Sequence, residues 1–240
     1  MSAAEVTDIR PSALSALQQR VRAVRPPRAV LDHERERRLT ERQREILDQL
    51  VRLFDDGFAD LTMAEIAARS NCSLRTLYGL APSRDELVLA VVDRNLWSIG
   101  RSAIEAIGAD MAPLEALQAY LEAATVVVNG VTEPFARDLA AVPAAQRLGD
   151  FHAEYLVAVT RCLLDLAVER HEIVALDTGA VARVMAGLGR ELSRPDVIPT
   201  LQSSPKQAAD SVLAIMLRGM RTSTNNPART TTHKDGNHDV

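Results

Sequence analysis

From Thr40 onward apolar residues recur with a helical period. Ile46, Leu50, Phe54 and Phe58 stand four apart, with Leu47 and Leu53 beside them; that spacing lays one apolar stripe along a helix. Thr40 followed by Gln43 has the form of a capping box opening it, and Gly57 stands where a left-handed terminus would close it. A second helix is predicted from Thr62, with Glu65 as box partner and Ile66 and Ala67 facing inward. A third starts at Ser73, and a fourth at Ser83, with Glu86 as its partner, running through Leu87, Val91 and Leu96 to about Ile107.

Longer helices follow. Pro113 suits the first turn of one ending near Gly130, and Pro134 marks a short one. Pro143 opens a long one whose stripe carries Leu148, Tyr155, Leu156, Val159, Leu163, Leu166 and Ala167. Asp177 caps the next, with Val181, Val184, Met185, Leu188 and Leu192. After a loop containing Pro195, Pro199 and Pro205, the last runs over about 206–220, with Val212, Ile215, Met216 and Leu217. No internal repeat and no strand run interrupts the series. The pattern predicts an all-α fold with a compact helical head at its start.

The break between Ser70 and Ser73 is the most informative local feature. Interrupting a helix wastes nucleation, so the break must set an orientation that one long helix would not give. Asn71 tolerates the left-handed conformation, Ser73 can cap the new helix, and the small Ala67 lets two helices cross closely. This is the plan of a helix-turn-helix, whose second helix can enter a DNA major groove. The residues expected to face DNA are Ser73, Arg75, Thr76 and Tyr78, with Leu74 placed to touch a thymine methyl or to be partly buried. Arg can read guanine bidentately; hydroxyls fix register on phosphates. The helix starts at Thr62 and Ser83 are each placed to receive a phosphate, with Arg84 adding charge. An ordinary helical hairpin inside a bundle satisfies the same spacing.

Charge placement changes the picture. The chain is 25% charged with a net charge of −4, which taken alone argues against a nucleic-acid partner. Yet residues 9–44 hold ten Arg against four acidic residues. Screening limits each charge to roughly 8–10 Å, so an acidic body with a basic end can bind DNA locally. SALSALQQRVRAV carries a short helical pattern that Pro26-Pro27 ends. Residues 1–37 are expected to form a flexible Arg-rich arm, either a disordered leader or one touching phosphates or the minor groove.

Aromatic residues make up only 3% of the chain, and Leu, Ala and Val favour packed helices over a sheet sandwich. No apolar run reaches the roughly 18 residues a membrane span needs, and the first residues lack a secretory pattern. Cys72 and Cys162 make no metal or redox spacing and read as small hydrophobes in a reducing cytoplasm. The polar stretch 222–240 is expected to be disordered. No phosphate loop, dinucleotide glycine set or metal pair is present: GLGREL at Gly187 lies in a helical pattern, and His171 lacks a second His. No enzyme activity, cofactor or metal is expected.

Gly57-Phe58, Thr62, Glu65, Ile66-Ala67, Ser73, Thr76-Leu77-Tyr78, Pro82-Ser83-Arg84 and Glu86-Leu87 stand in the register of one family. Over roughly residues 40–95 the chain resembles the tetracycline-repressor (TetR) transcription regulators. It departs from their pattern in having Asn71 for the usual turn Gly, Leu74-Arg75 for a small or basic pair, Tyr78-Gly79-Leu80-Ala81 for Tyr-x-His/Tyr-Phe, and Arg84 for Lys. Leu80 cannot donate to a phosphate and Ala81 is a smaller plug, so weaker DNA affinity, or compensation by the arm, is expected.

The resemblance implies a three-helix helix-turn-helix DNA-binding head over 38–98 and a helical effector-binding and dimerisation domain over 99–221. It implies a homodimer paired through about 177–192 and 206–220, acting as a ligand-responsive repressor on a palindromic double-stranded operator. Ala182, Ala186, Gly189, Ala209 and Gly219 suit close helix approach there. The helices between about 100 and 170 would enclose a pocket for a small-molecule effector of lipophilic character. Trp97, Met111, Tyr120, Phe135, Phe151, His152 and Tyr155 are candidate liners, each equally able to be core; His152 would need a partner such as Glu154 or a backbone carbonyl. The rival expectation is a helical, dimeric ligand-binding scaffold whose head binds DNA weakly or not at all.

Overall fold

Side-chain caps open most of the helices of this chain, and those at Pro113 and Pro143 open on the proline alone. The structure is a computed structural model that describes residues 14–29, 37–125, 132–194 and 196–221. In order, the helices are α1 (Ala16–Arg22), α2 (Glu41–Phe54), α3 (Met63–Arg69), α4 (Leu74–Leu80), α5 (Arg84–Glu105), α6 (Pro113–Ala124), α7 (Glu133–Ala140), α8 (Pro143–Glu169), α9 (Thr178–Leu192) and α10 (Pro205–Met220). Thr40 and Thr62 form full capping boxes with Gln43 and Glu65. Ser73, Ser83 and Asp177 accept the backbone N–H three residues on. Among the described residues the only β-type pairing is an isolated bridge between Ile173 and Arg221.

Two cores result. The head's core is built by Ile46, Leu47, Leu50 and Phe54 of α2, Ile66 and Ala67 of α3, Leu77 and Leu80 of α4, and Leu87, Val88 and Val91 of α5. The body's core packs α6, α8, α9 and α10 around Leu117, Tyr120, Leu163, Leu164, Ala182, Met185, Leu213 and Leu217. Helix α5 runs unbroken from one to the other, so the expected boundary at 98/99 falls inside a continuous helix. The head's core is also completed from beyond that boundary: Leu148 is part of it, and Phe135, Leu139 and Val142 pack against it. Sequence spacing could not show this, because these residues come from α7 and the start of α8.

The largest correction concerns the N-terminal arm. Residues 14–29 are described, and within them α1 docks on the body rather than hanging free. Leu17 and Val21 are 2% and 1% exposed, each worth about 1.5–3 kcal/mol of apolar burial. A Ser15–Gln18 capping box closes its start. Gln18 donates to the Ile107 carbonyl at 3.0 Å, and Arg20 pairs with Glu169 at 2.5 Å. A seven-residue helix is not stable alone; tertiary contact orders it. The expected Arg-rich reach toward DNA is thereby altered, since Arg20 is spent on the body. Residues 1–13 and 30–36, the expected end of the Pro113 helix near Gly130, Pro195 and the tail 222–240 lie outside the described residues. Helix α5 ends at Glu105, short of the expected Ile107.

Candidate nucleic-acid interface

The bend that separates α3 from α4 is made by Asn71, whose φ is +47°. That left-handed residue is tolerable for Asn and costly for most others. Arg42 of α2 donates to the Asn71 carbonyl at 3.1 Å and pairs with Glu45 at 2.9 Å, bracing the turn from below. Cys72 is half-buried, and burial pushes its thiol up from the ordinary range.

Helix α4 then divides cleanly. Leu77 and Leu80 are 0% and 2% exposed and anchor it to the head's core. Leu74 and Tyr78, at 43% and 53% exposed, lie outward together with the exposed Ser73 and Arg75. Thr76 is half-buried; its backbone N–H bonds the Ser73 hydroxyl, and the two hydroxyls lie 2.8 Å apart. The side chains facing outward thus combine a guanidinium, two hydroxyl-bearing groups and an apolar branch, and no other part of the described chain covers them. Such a face suits a groove lined with base edges and phosphates. Gly79 leaves a small gap: a Cβ there would meet nothing nearer than Gln43 Nε2 at 3.9 Å.

The departures at Leu80 and Ala81 take on a different meaning here. Both are 2% exposed and belong to the head's core. Position 80 points inward, so Leu there fills space rather than removing an outward donor.

The two flanking helix starts are less open than α4. The Thr62 hydroxyl donates to Glu65 Oε2 at 2.7 Å, and the Thr62 N–H donates to the same oxygen at 2.8 Å. These bonds, backbone first, hold the Glu65 carboxyl below its ordinary range. A carboxylate therefore already sits at that start. At the other, Ser83 is exposed and caps α5, while Arg84 is drawn aside. Its Nη1 donates to the Ala59 carbonyl at 2.6 Å and its Nε and Nη2 to Asp85 at 3.1 and 3.0 Å. Arg84 is a tie between α5 and the preceding turn as well as a surface charge.

The candidate effector liners are not gathered round one cavity. Tyr120 is 1% exposed in the body's core, and burial, with Tyr155 nearby, pushes its phenol well up. Tyr155 is half-buried against that core, and Met111 packs over Gly108. Phe135 belongs to the head, its ring 6.0 Å from that of Phe58. Phe151 is 61% exposed. Trp97 and His152 do meet, edge to face at 5.8 Å. The expected partner of His152 is corrected: its Nε2 lies 3.2 Å from Oδ1 of the buried Asp93, whereas Glu154 pairs with Arg183 at 3.0 Å. The best-formed depression among the described residues holds about 20 Å³, lined by Leu121, Glu122, Asp210, Leu213 and Leu217 among others. That is room for about one water. No group of three or more His, Cys, Asp or Glu among the described residues is placed to hold a metal, and no described helix is long and apolar enough to cross a membrane.

Comparison with known proteins agrees with this architecture. The profile of the family described as bacterial regulatory proteins, tetR family, matches residues 46–91, which span α2 to the start of α5. Among solved structures, a TetR transcription regulator from Haloarcula marismortui ATCC 43049 superposes with a TM-score of 0.64 at 17% identity, over 77% of this chain and 100% of that one. A bacterial regulatory protein in the tetR family from Rhodococcus RHA1 gives 0.57 at 18%, over 76% and 98%. A TetR family transcriptional regulator from Thermus thermophilus gives 0.53 at 20%, over 74% and 99%. No curated protein matches the chain. At these identities the superpositions speak for the fold alone, and the family match is confined to the head. Residues 46–91 thus match the tetR-family model, and about three quarters of the chain shares the fold of solved TetR-family regulators.

Proposed function

We propose that this protein is a sequence-specific transcriptional repressor of the bacterial cytoplasm. It acts as a homodimer on a palindromic duplex operator and releases it when an apolar small molecule binds the larger domain. One observation carries the DNA half of this reading: α4 is pinned by Leu77 and Leu80 while Leu74, Arg75 and Tyr78 face outward uncovered. Arg75 and Leu74 are assigned to base edges. Ser73, Thr76, Tyr78, Ser83 and Arg84 are assigned to phosphates, and Thr62 to a phosphate that approaches beside Glu65.

The dimer half is supported by α9 and α10. Val184 and Ile215 are 55% and 66% exposed, and Val212 is 37% exposed. Gly187 and Gly219, on the same two helices, have open space where a Cβ would stand. Apolar side chains beside small residues on paired helices fit a second copy packing as a four-helix bundle. Two heads so joined would present α4 to successive major grooves about 34–36 Å apart. The effector's place is the least developed part of the reading, because the two best-formed depressions among the described residues hold only about 20 and 10 Å³; the site would open as the ligand enters.

Genomic fragments of the source organism, retained on the purified full chain and sequenced, test the reading. A shared palindromic sequence supports it; retention without any shared sequence would reduce the protein to a non-specific binder or a scaffold.

A further inference from the structure

The carboxylate of Asp138 is an unusual group to find where it is. It lies on α7, is 5% exposed, and was singled out by no pattern in the sequence. Its Oδ2 accepts the backbone N–H groups of Phe58 at 2.6 Å and Ala59 at 2.8 Å. Its Oδ1 accepts from the Arg137 guanidinium at 3.2 Å. A buried carboxylate left without donors would be costly; here the donors come from a turn some eighty residues away in sequence.

That turn is shaped to receive it. Gly57 has φ +96°, and a Cβ there would stand 2.9 Å from Asp138 Oδ2 and 3.3 Å from Pro134 Cβ. Glycine is required twice, for the backbone and for the approach of α7. The Thr132 hydroxyl donates to the Asp55 carbonyl, and Phe135 packs edge-on against Phe58. From the other side Arg84 holds the Ala59 carbonyl. The gripped backbone lies three and four residues before Thr62, the cap of the helix that leads into the bend at Asn71.

Resting on the DNA-binding reading above, we infer that Asp138 is a positioning residue: it locks the head's turn to α7, and so fixes how α4 is presented relative to the body. It touches no DNA. Without it the head keeps its fold and its own face but pivots on α5. A lone head on a single half-site would be indifferent to that. Two heads that must fit a fixed spacing would not, because simultaneous engagement depends on geometry.

The test uses full chains of wild type and Asp138→Ala, titrated by fluorescence anisotropy at low salt. One duplex is selected by the wild type; the other is the same duplex with one half scrambled. The expected result is affinity for the single half within about twofold of wild type and affinity for the whole site lower by about tenfold or more. Backbone exchange at Phe58 and Ala59 should rise while that at Leu77 does not. Equal losses on both duplexes, or no loss on either, would overturn the inference. If Asp138→Ala fails to fold, Asp138→Asn, which keeps the shape and loses the charge, is held to the same comparison. A wild type that selects no duplex is a separate failure, of the DNA-binding reading. Exchange at Phe58 and Ala59 then decides whether Asp138 holds the turn.

Discussion

The head and the body of this protein expose different kinds of surface. In the head the apolar side chains of α2, α3 and α5 are drawn in, and α4 leaves outside a mixed face of Arg75, the hydroxyl-bearing Tyr78 and the apolar Leu74. In the body the two last helices leave Val184, Val212 and Ile215 uncovered. Short helices with capped ends, anchored by a few Leu, make a rigid small unit that can present polar groups to a charged, hydrated polymer. Long helices with apolar residues on two faces are finished only when something apolar covers the second. On the proposed function the first surface is the one that meets nucleic acid and the second the one that meets another copy of the chain.

The contrast can be broken first at the head's centre. Phe54 is 0% exposed and its ring lies 5.3 Å from that of Phe58. Phe54→Ala should cost about 3–5 kcal/mol, read as a lowered denaturant midpoint. Fluorescence from Trp97 should report loss at the head–body junction. Next comes the body's uncovered face. Val184→Asp with Ile215→Asp should leave the helical signal intact but shift sedimentation to the monomer. Affinity for a two-half operator should then fall by roughly 100-fold or more. A double variant that remained dimeric would move the interface elsewhere.

A smaller effect is expected at α1. Leu17→Ala removes most of one of its two buried anchors. It should detach the helix, seen as rapid backbone exchange over 16–22, with a stability loss of about 2 kcal/mol or less, since a site at the molecule's edge can relax. The smallest concerns pH. Burial alone would raise the Asp138 carboxyl, but the Ala59 and Phe58 N–H groups and Arg137 outweigh it and hold it below the ordinary range. A depressed folded-state value means its contribution is full above the unfolded value of about 3.9 and fades as pH falls through the lower folded value. The stability gap between wild type and Asp138→Asn should therefore be constant from neutral pH down to about 5 and shrink only below about 4.

Legibility in the sequence followed the range of each interaction. The caps at Thr40, Thr62, Ser73, Ser83 and Asp177 were readable because a cap is a contact across three residues. Asn71 was readable because few residues other than Gly tolerate its backbone. At α4 the polar chemistry of Ser73, Arg75 and Tyr78 marked the outward side, but Thr76 is half-buried, and at position 80, where the resemblance suggested an outward donor, the fold buries the side chain. What escaped was long-range. The docking of α1 depends on Ile107 and Glu169, and its Arg content disguised two apolar anchors as a loose arm. The Asp138 grip and the Asp93–His152 pair join residues with no local pattern between them. The seven expected pocket liners are aromatic or polarizable, and those properties serve a core, a domain contact or a surface equally well. The structure distributes them among all three.

The outward face of α4 as a reader of bases is the claim on which the rest depends, and Arg75 tests it most directly. Wild type and Arg75→Ala should be compared on a selected operator and on single-base variants of it, at two salt concentrations. The expected loss on the best site is about 1–3 kcal/mol. With it should come a flattened preference at one base pair in each half and little change in affinity for unrelated duplex. A variant with unchanged discrimination at every position, or one weakened equally on all sequences, would contradict base reading by α4.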